Sequence, residues 1–98
     1  MQVENHRSLF YRLLANVTGD SRFLNRQIVI LSMEVSDSTH LRELNESKVY
    51  QEKLIAFHNA ADTRDTARIR EKAMQVVYEI RDYVSKNDPA YKNYTKDV

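Results

Sequence analysis

The chain has 98 residues, 42% of them hydrophobic and 30% charged, with 15 basic against 14 acidic side chains and no cysteine. That length makes one domain able to bury roughly 60–65% of its unfolded surface, and the composition argues against wholesale disorder, a disulfide framework, a thiol nucleophile or a thiolate metal site. A net charge of +1 writes no general capture of nucleic acid into the chain, although it leaves room for a local patch.

One glycine and one proline in the whole sequence favour helices joined by short polar turns, since hairpins and phosphate loops both depend on glycine. The first predicted helix covers 4–16. Leu9, Leu13 and Val17, with Phe10 and Leu14 beside them, give it a broad apolar face that Val3 extends. Gly19 is expected to take the left-handed backbone of a C-terminal cap, and Asp20 or Ser21 to accept amides of the next helix. That second helix covers 21–35. Leu24, Ile28, Leu31 and Val35 recur at steps of four, three and four, while Phe23, Ile30 and Met33 place further apolar surface elsewhere, as on a central helix or one at a subunit contact.

The stripe dies in Ser36-Asp37-Ser38-Thr39, a cluster that competes with helix, so a break or kink is expected there, the alternative being one long helix over 21–60 whose buried face shifts. A third helix over 39–60 divides its apolar residues between two faces, with Leu41, Leu44 and Ile55 on one and Tyr50, Leu54, Phe57 and Ala61 on the other. Asp62 is the expected N-cap of the last helix, 63–85, with Asp65 near its positive end. Here Ile69, Ala73, Val76, Ile80 and Tyr83 form the clearest stripe in the chain, widened by Val77 and Val84. Arg70, Glu71, Lys72, Glu79, Arg81 and Asp82 take the opposite side. Pro89 stops this helix. The expected fold is therefore all-α, an antiparallel bundle of about four helices forming one domain over 1–88, with a flexible tail over 89–98.

Chemistry is thinly signalled. His6, His40 and His58 are the only histidines, and no Glu-x-x-His pair of the kind used by di-metal bundles occurs. Asp37, His40 and Glu43 could share a helix face, but a structural or solvent-facing His40 is the expectation. None of the serines sits in a Gly-x-Ser-x-Gly elbow, and no glycine-rich nucleotide loop is present. The expectation is a non-enzymatic protein without metal, cofactor or small-molecule substrate. Arg64, Arg68 and Lys72 have the i, i+4 spacing of a basic strip for an acidic partner, or simply of a solvated flank. Six tyrosines against three phenylalanines suit partly wet contacts. Tyr50, Tyr78, Tyr91 and Tyr94 are accordingly candidate interface residues.

The segment 35–45 resembles the turn and recognition helix of helix-turn-helix repressors, with a Val-Ser turn followed by Thr39 and Arg42 on the reading helix. That resemblance implies a DNA-binding regulator in which Ser36, Ser38, Thr39 and Arg42 face DNA. Glu34 stands where that turn has glycine, and Ile30 where it has a small residue. The preferred expectation is a small adaptor, regulator or inhibitor that binds another protein or itself, as a homodimer. The longest apolar runs, among them 28–31, are far too short to span a bilayer, and no signal-peptide core occupies 1–12. The expected location is the cytoplasm.

Overall fold

A computed structural model describes residues 3–95, with side chains described from Arg7 onward. Expectations for residues 1, 2 and 96–98, and for the side chains of Val3 and His6, lie outside the described residues. Four long helices carry the fold: α1 (Val3–Asn16), α2 (Leu24–Asp37), α4 (Lys48–Ala61) and α5 (Thr66–Asn87). Between α2 and α4 lie a 3-10 turn (Thr39–Leu41) and a one-turn helix, α3 (Arg42–Asn45); a second 3-10 segment (Pro89–Tyr94) follows α5. No strand occurs among the described residues, and the all-α bundle stands.

The expected third helix is split. Ser47 has extended backbone, and its side chain accepts the amide of Tyr50, so it starts α4 afresh as an N-cap. Leu41 and Leu44 are thereby carried on separate short pieces that both reach the core. Caps elsewhere also differ from expectation. Asp65, not Asp62, caps α5, its Oδ1 accepting the Arg68 amide at 3.1 Å. Asp62 follows the end of α4 in ordinary helical backbone. Ser21 accepts the Phe23 amide, but α2 begins without a side-chain cap. Gly19 does not adopt left-handed backbone. What it supplies is room, since a Cβ there would stand 3.1 Å from Arg70 Cγ and 3.4 Å from Met74 Cγ.

The core is continuous and α5 is its axis, packing against α1, α2, α4 and the C-terminal 3-10 segment. Ala73, Val76, Val77, Ile80 and Val84 are fully buried on α5, with Ile69 and Tyr83 half-buried at the two ends of the stripe. Leu24, Ile28, Leu31 and Val35 bury the expected face of α2. Neighbouring helices meet side chain to side chain. Leu9 and Leu13 of α1 share a groove with Ile30 and Glu34 of α2, and Lys53 of α4 meets Glu79 of α5 at 2.8 Å. The Cα radius of gyration, 13.2 Å, matches the about 13 Å expected of a well-packed chain this long.

Two faces are corrected by the structure. On α1 the buried residues are Phe10, Tyr11 and Leu14, with Val17 just beyond. Leu13 is half-buried, and Leu9 is 62% exposed. The tail is not free through residue 94. Pro89–Tyr94 folds back on α1 and α5 and buries Tyr91 against Tyr11, with ring centroids 6.0 Å apart. Asp88 makes this turn possible, because its Oδ1 accepts the Ala90 amide while Pro89 needs no partner for the amide it lacks.

Candidate functional site

Arg81 illustrates how far side chains are committed to holding the bundle. It projects from α5 under the end of α1, and its Nε donates to Leu14 O at 2.9 Å. Its Nη2 donates to Val17 O at 2.6 Å and to Ala15 O at 3.5 Å. Those carbonyls belong to a helix end that has run out of amides, where a cation is also favoured by the helix dipole. Burial pushes the Tyr91 hydroxyl above its ordinary pKa, and the nearby positive charge of Arg81 partly offsets this. The sequence period puts Arg81 on the solvent side of α5. Nothing in the sequence signals its role.

The four candidate interface tyrosines do not form one surface. Tyr50 is only 1% exposed and Tyr91 only 4%, so both are core residues and neither is available to a partner. Tyr94 is half-buried, and its hydroxyl donates to Ser8 Oγ at 3.0 Å. Tyr78 alone is open, 58% exposed, on the rim of a depression of about 690 Å³ between the end of α1, α5 and the C-terminal turn. The hydroxyls of Tyr11 and Tyr50 are buried without a hydrogen-bond partner; burial pushes the Tyr50 pKa up to about 12.

Of the basic strip, Arg64 lies in the turn before the Asp65 cap, so only Arg68 and Lys72 share a helix. Arg64 and Arg68 are exposed and Lys72 is half-buried. A different basic grouping appears where the α1–α2 loop meets the start of α5. There Arg22, Arg26 and Arg70, with Asp20, line an open depression of about 620 Å³, and the Arg22 guanidinium lies 5.8 Å from the centre of the Phe23 ring.

Ser36, Thr39 and Arg42 are exposed, whereas Ser38 is half-buried and donates to Glu34 Oε2 at 3.1 Å. The helix that would read DNA is four residues of α3 preceded by a 3-10 turn, much shorter than a helix laid along a major groove. His40 is exposed beside Arg7 and Glu34. Partial burial and the Arg7 charge lower its pKa, and Glu34 opposes them. Asp37, His40 and Glu43 do not come together, and among the described residues no group of three or more His, Cys, Asp or Glu side chains could hold a metal ion. No helix among the described residues is long and apolar enough to cross a membrane.

Most of the large apolar side chains that the fold leaves uncovered lie on α1 and α2 or at the start of α2. Leu9, Ile30 and Met33 are 62%, 48% and 58% exposed, with Phe23 and Val29 also open on the same helix or at its start. Beside them Leu9, Phe10, Leu13, Ile30 and Glu34 line a groove of about 230 Å³. Sequence reading finds Phe23, Ile30 and Met33 as surplus apolar surface. It misses Leu9, which it assigns to the core. Val49 and Ile55 on α4 are exposed singly. Compared with protein-family models, with curated proteins and with solved structures, the chain matches none.

Proposed function

We propose that this chain is a small non-enzymatic binding protein of the cytoplasm, an adaptor, regulator or inhibitor, that makes its contact through the apolar band on α1 and α2. The observation that carries the reading is the contiguity of Leu9, Ile30 and Met33 beside an apolar groove. Large exposed side chains gathered next to a hydrophobic cleft mark interaction surfaces, whereas scattered ones do not. Several small polar side chains offer a second line of support, since they are occupied with structure. Ser47, Asp65 and Asp88 cap helices, and Ser32, Thr63 and Ser85 bond carbonyls of their own turns.

The test compares two baits in extract of the native host, the wild-type chain and an Ile30→Lys/Met33→Lys variant. Every retained protein is identified, copies of the chain itself included. Both substituted residues are exposed, so the variant is expected to keep the wild-type helical signal and melting temperature. Proteins retained by the first bait and lost from the second are the expected result. The same proteins on both would remove the band as the site of action.

A further inference from the structure

The exposed side of α2 carries a pattern of its own. Arg26, Ile30, Met33 and Asp37 follow one another at steps of four, three and four, the same spacing as the buried Leu24, Ile28, Leu31 and Val35 on the opposite side. All four are exposed. The order is base, apolar, apolar, acid, and it reads as its own complement when reversed.

Resting on the reading of the α1–α2 band as an interaction surface, we propose that its occupant is a second copy of this chain, whose α2 lies antiparallel along this one. In that arrangement Arg26 of each copy faces Asp37 of the other, and Ile30 faces Met33. A two-fold axis between the helices satisfies both pairings at once, as an isologous interface requires. Leu9 flanks the contact from α1, and the groove beside Ile30 receives the Met33 side chain of the second copy. An unbranched thioether suits a shallow cleft of this kind.

Charge placement supplies the argument for a copy rather than an unrelated helix. Within one chain α2 has no acidic residue in its first turn and no basic residue in its last. It carries Arg26 near its amide end and Asp37 at its carbonyl end, so each charge sits at the pole of the helix dipole that disfavours it. Neither is in an ion pair among the described residues. An antiparallel copy brings an opposite charge, and the opposite pole, to each end. A surface built from one helix and the flank of another belongs to the small interfaces, so the dimer is weak and forms at tens to hundreds of micromolar, an order-of-magnitude expectation.

Sedimentation equilibrium of the full chain, from about 1 µM to 1 mM, tests this by the approach of the mass to twice 11.6 kDa. Arg26→Asp and Asp37→Arg are each expected to weaken dimerisation by about tenfold or more, because each places like charges at both ends of the contact. An equimolar mixture of the two variants is expected to recover the wild-type constant within about threefold. Both substitutions give α2 the end charge its dipole favours, so melting temperatures at or above wild type are expected and lost folding would not account for lost pairing. A wild-type chain that stays monomeric overturns the second copy as occupant, while the bait comparison separately judges the band. A dimer indifferent to both substitutions, or a mixture as weak as either variant alone, overturns the antiparallel pairing.

Discussion

The 2.6 Å hydrogen bond from Arg81 Nη2 to the carbonyl oxygen of Val17 ties α5 to the end of α1, and the Arg81 charge is also felt by Tyr91 in the C-terminal turn. One side chain therefore joins two helices through partners 64 to 67 positions away in sequence. Replacing it leaves the Leu14 and Val17 carbonyls short of a donor in a partly buried place. Arg81→Ala is expected to cost about 2–3 kcal/mol of unfolding free energy, and Arg81→Lys somewhat less because a single ammonium cannot span the same carbonyls. Urea denaturation measures both. A loss below about 0.5 kcal/mol for Arg81→Ala would show that water replaces the guanidinium at little cost.

Docking of the C-terminal turn rests on an aromatic cluster. Tyr11 lies 6.0 Å from Tyr91 and 5.5 Å from Tyr94 between ring centroids, with Phe10 5.8 Å away on the other side. Tyr91→Ala opens a cavity beside Tyr11 and is expected to destabilise the whole bundle by about 3–4 kcal/mol. Tyr94→Phe removes only the bond to Ser8 and is expected to cost about 0.5–1.5 kcal/mol. Hydrogen exchange gives an independent readout: the amide of Tyr91, bonded to Asp88 O at 3.1 Å, is protected in the wild type. Exchange of that amide at the free-peptide rate would contradict the docked turn.

Tyr50 makes stability depend on alkaline pH. Its pKa is about 12 in the fold against an ordinary 10, so below pH 10 both folded and unfolded chains keep the proton and the residue adds no pH dependence. Between pH 10 and 12 the unfolded chain loses a proton that the folded chain retains. Stability therefore falls as pH rises through this window, by about 3 kcal/mol at its upper end. Tyr50→Phe deletes a buried hydroxyl that has no partner, which leaves stability at neutral pH within about 1 kcal/mol of wild type and removes this part of the alkaline loss. Urea titrations at pH 8 and pH 11 on both proteins check it. Equal alkaline losses in the two would assign the effect to other groups.

The cap of α5 separates two neighbouring aspartates. Asp65→Ala deletes the acceptor for the Arg68 amide and is expected to cost about 1 kcal/mol, while Asp62→Ala stays within about 0.5 kcal/mol. Thermal denaturation ranks them. A larger effect at Asp62 would mean that the helix begins three residues earlier, where the sequence alone places it.

The apolar stripes of α2 and α5 were readable from spacing because each has a single dominant face and a polar opposite side. On α1 two adjacent stripes are both apolar, Leu9 with Leu13 and Phe10 with Leu14, and spacing cannot choose between them. The choice falls to Tyr91 and Tyr94, which arrive from the far end of the chain to cover Tyr11 and leave Leu9 outside. The same docking removes Tyr91 from the candidate interface, and burial in the first turn of α4 removes Tyr50. In the third segment, Ser47 competes for the amide of Tyr50 and ends a run that otherwise reads as continuous helix.

By itself the sequence determined an all-helical chain, the position of its central helix, and a surplus of apolar surface on the second helix. These follow from composition and from a period that each segment carries locally. Only the tertiary structure decided which tyrosines are buried, that Arg81 binds three carbonyls, and that Leu9 joins Ile30 and Met33 on the outside. The physical reason is that burial and hydrogen bonding belong to pairs of segments, and the distance between those segments is absent from either one. A period says which residues share a face; what covers that face is settled when the rest of the chain arrives.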